Sequence, residues 1–105
     1  MACSEQGRTA EEKGKWHLKV IEVKQGQRLS LQKHKNRSEF WIIAEGEARV
    51  QKGEEVLKLK PGDTVTFEKE ELHRLEGITN VTFVEVSFGD HDENDITRVS
   101  DDYGR

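Results

Sequence analysis

LSLQKHKNRSEFWIIAEGEARV, residues 29–50, is the stretch from which the fold is read. Apolar and polar residues alternate through LSLQKH, and the run that follows is rich in aromatic and β-branched residues until Gly46 interrupts it. That is the pattern of two short strands joined by a bend. Successive side chains on a strand point to opposite faces, so Gln32 and His34 present their polar atoms on the same side. Glu39 lies beyond the bend and shares its face with Trp41 and Ile43. It is thereby directed inward beside apolar side chains, an expensive place for an unpaired carboxylate. A cation would offset that cost.

Working outward from this stretch, the same kind of run recurs. WHLKVIEV (16–23) and QRLSLQKH (27–34) precede SEFWIIA (38–44), and EARVQ and EEVLKL flank Gly53 as two strands across a tight turn. The Pro61-Gly62-Asp63 turn leads into TVTF and a charged EKEE segment that reads as a solvated loop. LHRLEG and VTFVEVSF follow, and the acidic end GDHDENDITRVSDDYGR holds a last edge strand around DITRV. Strands at turn-marked intervals of about 8–12 residues, with no helical periodicity, predict an all-β sandwich or closed barrel. Residues 1–14 are polar and without periodicity, which predicts a mobile tail with at most one helical turn, and residues 15–105 form the domain.

A second polar position joins the first set. In ELHRLEG, His73 shares its face with Leu75 while Arg74 and Glu76 point the other way, so this imidazole also looks inward. Gln32, His34, Glu39 and His73 then form a mixed nitrogen and oxygen donor set. Such a set suits Zn, Fe, Mn, Co or Ni better than soft Cu(I), and zinc heads the expectation. Four protein ligands on a metal that accepts five or six leave room for water or substrate oxygens, which favours chemistry over a structural staple. His17 and His91 fall outside both groups and read as surface residues.

Length and composition bound the rest. A chain of 105 residues is one domain with a modest core, for which pairing with a copy of itself is a common source of stability, and a homodimer is expected. The net charge of −4, from 17 basic and 21 acidic residues, gives no global attraction for nucleic acid, although it leaves room for a local basic patch. Cys3 is the single cysteine, so no intramolecular disulfide forms. With no apolar signal-like run and no membrane-spanning stretch, the expectation is a cytoplasmic protein without membrane contact. Neither a glycine-rich phosphate loop nor a serine nucleophile elbow is found.

The region Gly26 to Gly46 resembles the first cupin motif, with Gln32 in place of the usual first histidine, then His34, Glu39 and the closing glycine. The second motif is matched at Gly62 and His73, while Glu68, Glu70 and Gly77 occupy its other positions. LSLQKHKNRSEFWIIAEGEARV together with HRLEG and the ending DDYGR is similar to the C-terminal cupin domain of type II phosphomannose isomerases, over Trp16 to Arg105. The family's upstream Pro-Trp-Gly segment has no counterpart in EEKGKWHLK.

The resemblance implies a cupin double-stranded β-helix, in a family where this domain usually follows a mannose-1-phosphate guanylyltransferase domain. It also implies a metal on Gln32, His34, Glu39 and His73 that serves interconversion of mannose 6-phosphate and fructose 6-phosphate. For the substrate phosphate, Arg37 and Arg105 are the candidates, because guanidinium binds phosphate bidentately, and the same two are the candidates for a part in catalysis. Lys33 and Lys35 flank His34 and face away from it. Trp41 is a candidate sugar platform on the metal-facing side, a position that equally suits a packed aromatic. The proton-transferring base has no sequence signature here. A sugar-binding cupin without turnover and a metal-dependent dioxygenase are the alternatives on the same scaffold.

Overall fold

The computed structural model describes the backbone of residues 6–13, 16–89 and 97–100, and the side chains of residues 16–89. The strands among them are β1 (Gln6–Lys13), β2 (Trp16–Val23), β3 (Leu31–Lys33), β4 (Arg37–Glu45), β5 (Ala48–Lys52), β6 (Glu55–Leu59), β7 (Thr64–Phe67), β8 (His73–Gly77), β9 (Val81–Gly89) and β10 (Thr97–Ser100). They make two five-stranded antiparallel sheets, ordered β1-β2-β9-β4-β7 and β10-β3-β8-β5-β6. The described residues contain no helix, and so none long and apolar enough to cross a membrane.

The sheets pack because alternation gives each an apolar inner face. On β9, Val81, Phe83, Glu85 and Ser87 are buried while the residues between them are half-buried. Register converts that alternation into layers. Ile21, Phe83 and Ile43 lie side by side across β2, β9 and β4, with Val23 and Val81 paired beyond them. The facing sheet contributes Leu75, Val50 and Leu57, then Gly77, Ala48 and Leu59. In the opposite direction along the same strands the layers turn polar: Trp41 beside Glu85, then His17, Ser87 and Glu39 in one row.

Tight turns close the apolar end. A Cβ on Gly46, whose φ is +82°, would lie 2.0 Å from the carbonyl oxygen of Asn80, so only glycine lets these two loops cross. The Lys60–Asp63 turn has Pro61 then Gly62 at φ +91°, the order a type II turn requires, and Gly62 N–H donates to Ile43 O at 2.8 Å.

Three departures from the sequence reading have physical causes. Residues 6–13, expected as part of a tail, form β1, whose backbone pairs with β2 over its whole length and carries a bulge between Thr9 and Glu11. An edge strand can be held by its ladder alone and needs no apolar period. QRLSLQKH is strand only at β3, preceded by an isolated bridge from Arg28 to Glu76, because Leu29 and Ser30 are both buried and two consecutive inward residues break the pleat. His17 is 5% exposed, not a surface residue, since it shares the inward parity of Ile21 and Val23. His91 lies outside the described residues.

Candidate metal centre

His34 directly follows β3, Glu39 is the third residue of β4, and His73 opens β8. The two sheets meet at this corner, and all three residues are 2–4% exposed. His34 Nε2 is 3.1 Å from Glu39 Oε2, and His73 Nε2 is 3.5 Å from Glu39 Oε1. One donor atom from each lies within 4.8 Å of the others. Two ligands on one ion stand at most about 4.4 Å apart, twice a bond of roughly 2.2 Å, so a shift of a few tenths of an ångström lets all three share a cation.

Backbone from an unexpected source holds both histidines, the main chain of one and the ring of the other. His73 Nδ1 is 3.0 Å from Glu71 O, and Glu70 N–H donates to His34 O at 2.6 Å. Both contacts come from the EKEE turn, which is solvated on its outer side but fixes the two histidines. Glu70 accepts a left-handed φ of 65° to make this turn. A carbonyl oxygen only accepts, so Nδ1 of His73 carries the proton and Nε2 turns a lone pair toward the Glu39 carboxylate. Two acceptors at 3.5 Å repel, and a cation between them would satisfy both; the donor set therefore fits a metal.

The electrostatics agree. Burial holds the His73 pKa below its ordinary value, against the pull of Glu39, which keeps the ring neutral as ligation requires. Burial alone would raise the Glu39 pKa, but the hydrogen bond from His34 and the charge of Arg37 hold it below its ordinary value. Trp41 Nε1 donates to Glu39 Oε1 at 3.0 Å, and Arg37 Nε stands 3.5 Å from Oε2.

Gln32 is directly across the ladder from His73, in the same corner. Its amide nitrogen donates to Ser30 Oγ at 2.8 Å, which commits the nitrogen and leaves the amide oxygen as the ligand type. Arg37 belongs to the centre itself, with Nη2 3.3 Å from His34 Nε2. Trp41 is 1% exposed and packs on Phe67, Phe83 and His73, so it orients Glu39 and fills the core, and no open face remains for a sugar. Arg105 lies outside the described residues. Glu85 was missed, though its parity with Val81 and Phe83 is as legible as that of Glu39. Burial and the nearby Glu39 charge push its carboxyl up to about 8, while Ser87 Oγ donates to it at 3.2 Å.

The family described as mannose-6-phosphate isomerase C-terminal matches residues 6–101. The chain belongs to that family. Xanthan biosynthesis protein XanB of Xanthomonas campestris pv. campestris is 40% identical over 94 residues, which cover 87% of this chain and 20% of that protein. Mannose-1-phosphate guanylyltransferase ManC of Salmonella typhimurium is 35% identical over 94 residues, again 87% of this chain and 20% of that one. The chain thus spans 20% of the length of these relatives. An RmlC-like cupin from Shewanella frigidimarina superposes with a TM-score of 0.80 at 14% identity, covering 87% of this chain and 81% of that structure. The fold is the cupin double-stranded β-helix, as the motif spacing implies.

Proposed function

We propose that this member of the mannose-6-phosphate isomerase C-terminal family is a cytoplasmic, metal-dependent isomerase that interconverts mannose 6-phosphate and fructose 6-phosphate. The observation that carries the reading is the lone pair of His73 Nε2 facing the Glu39 carboxylate, with His34 beside them, in a buried corner. His34, Glu39 and His73 would hold a divalent ion, zinc first, with the Gln32 amide oxygen as a fourth ligand. When bound, such an ion stabilises an oxyanion developing on the sugar.

The chain's own residues supply the rest. Trp41 holds one oxygen of Glu39 and so sets the carboxylate plane. Arg37, the first residue of β4, can carry the substrate phosphate once a cation relieves it of neutralising Glu39. Arg105 extends the same role from the chain end. The reaction moves a proton between C2 and C1 of the open-chain sugar, and the burial of His34, Glu39 and His73 shields that step from water.

A homodimer belongs to this reading. On the outer face of the first sheet, Leu18, Val86 and Phe40 form one row and Val20, Val84 and Ile42 the next, with Phe88 51% exposed beside Trp16. A second copy covers this patch, and Phe88→Glu is expected to halve the mass measured by light scattering.

One observation favours a second reading, a sugar-binding cupin without turnover: the Arg37 guanidinium already places a positive charge 3.5 Å from Glu39. Anaerobic conversion of mannose 6-phosphate by the purified chain, with metal content quantified and His34→Ala as control, separates the two. Turnover that disappears in the control supports the isomerase. A fully metallated protein without turnover supports the binding module, and iron-dependent oxygen consumption would support a dioxygenase instead.

A further inference from the structure

The row of the second sheet that contains His73 also contains a lysine. Glu55, Lys52, His73 and Gln32 stand side by side across β6, β5, β8 and β3. Lys52 shares its parity with the buried Ala48 and Val50, so its side chain leaves the backbone on the interior side. An ammonium group there needs partners, and its four-carbon stem lets it reach for them.

It finds them across the barrel. Nζ donates to Thr66 O on β7, in the first sheet, and stands 3.4 Å from Glu71 Oε1, with the Lys52 and Glu71 side chains each 27% exposed. It also lies 5.7 Å from the centre of the Phe67 ring, within cation–π range. Lys52 thus ties β5 to β7 and to the turn that follows β7. Phe67 and Glu71, which it touches there, both touch His73. The Phe67 ring stacks on the imidazole at 4.7 Å and 30°. The Glu71 carbonyl accepts from His73 Nδ1 at 3.0 Å, while its carboxylate oxygen Oε1 takes both the ammonium and Glu68 N–H, the latter at 3.0 Å. A solvated ion pair contributes little by itself, but this one anchors a residue whose main chain fixes a buried ring.

The tautomer of His73 decides whether it can take an ion. Protonated at Nδ1, the ring offers a lone pair at Nε2. Should the Glu71 carbonyl move away, the proton can pass to Nε2, which stands 3.5 Å from Glu39 Oε1 and would then donate to it. That bond would occupy the ligand atoms of both residues. We propose that Lys52 is a positioning residue that acts through Glu71 and Phe67 to keep His73 in the Nδ1–H form, with Nε2 open to a metal. The inference rests on His73 being a ligand, as in the reading above, but its first readout needs no ion.

The test records the imidazole nitrogen shifts of His73 in the full, metal-free chain at about pH 8, where burial keeps the ring neutral. The parent is expected to show one tautomer. Lys52→Met, which keeps most of the stem and removes the charge, is expected to show both, and to bind zinc about tenfold more weakly in competition with a chelator. Lys52→Arg is expected to restore most of both properties. Arg49→Met breaks an ion pair of 3.0 Å between the same two strands on their outer side and is expected to change neither. Glu71→Gln keeps the carbonyl but removes the charge that holds Nζ, and it too is expected to mix the tautomers. A single tautomer in Lys52→Met, or in Glu71→Gln where that chain does not fold, overturns the proposal, as does a mixture in the parent or in Arg49→Met. If the tautomers respond as expected while the parent binds no zinc, the metal reading fails and the hold of Lys52 on His73 stands.

Discussion

The two ends of the barrel interior are built on the same strands and obey opposite rules. At one end Ile21, Val23, Ile43, Val81 and Phe83 meet Leu75, Val50 and Ala48, with no polar side chain among them. A few residues further along, β2, β4, β8 and β9 put His17, Glu39, His73, Glu85 and Ser87 into the same buried space. The first end supplies free energy in proportion to the apolar area it removes from water, and the second spends part of it on holding carboxyl and imidazole groups out of solvent. A site of this kind is rigid because its scaffold is stable elsewhere, and damage to each end should show in a different measurement.

The largest effect belongs to the apolar end. Phe83→Ala removes a fully buried ring from between Ile21 and Ile43 and is expected to cost about 3–5 kcal/mol, read as a shift of the urea midpoint. A domain of this size has only about 5–15 kcal/mol in total, so the variant stands near unfolding. Little loss of stability would mean that the apolar end does not carry the barrel.

Glu85 gives the next effect, as a pH dependence. Its folded pKa of about 8 exceeds the value of 4.5 it has when solvated, so the folded chain keeps a proton that the unfolded chain releases. The associated stability is complete below about pH 4.5 and is lost as pH climbs through about 8. Glu85→Gln should flatten that slope and gain on the parent by a few kcal/mol, to order of magnitude, at pH 9, with little difference at pH 4. Denaturant midpoints across pH in chelator check it. A parent curve already flat over this range would remove the buried acid from the account.

The next effect stays at the polar end and is read in metal affinity. Trp41→Phe keeps most of the ring but loses the Nε1 hydrogen bond to Glu39 Oε1, and metal affinity is expected to fall by about 10–100-fold, as measured by competition with a chromophoric chelator. The smallest effect concerns Glu70, whose φ of 65° is where glycine is at ease. Glu70→Gly is expected to raise stability by up to about 1 kcal/mol while metal content holds, because the side chain of Glu70 is exposed and its backbone makes the contact to His34.

These residues also show what the sequence could reveal. Period-two alternation in WHLKVIEV, EFWII, TVTF and VTFVEVSF identified β2, β4, β7 and β9, and the same parity directed Glu39 and His73 inward. Parity applied with equal care would have found His17 and Glu85. What parity cannot see is backbone: β1 exists through its ladder with β2, and the Glu70 and Glu71 contacts to the histidines use main-chain atoms that leave no trace in side-chain type. Trp41 was legible as an inward aromatic, but its bond to Glu39 depends on which way the indole turns in the core.

The EKEE turn works as a spacer gauge. Exposed charged loops are ordinarily where chains accept insertions. Here one such loop touches His34 through the amide of Glu70 and His73 through the carbonyl of Glu71, so its length sets the distance between two elements that sequence alone keeps far apart. Most of its letters can drift while its count cannot, and an engineer seeking a place to graft a tag or a fusion should pass over this most inviting of surfaces.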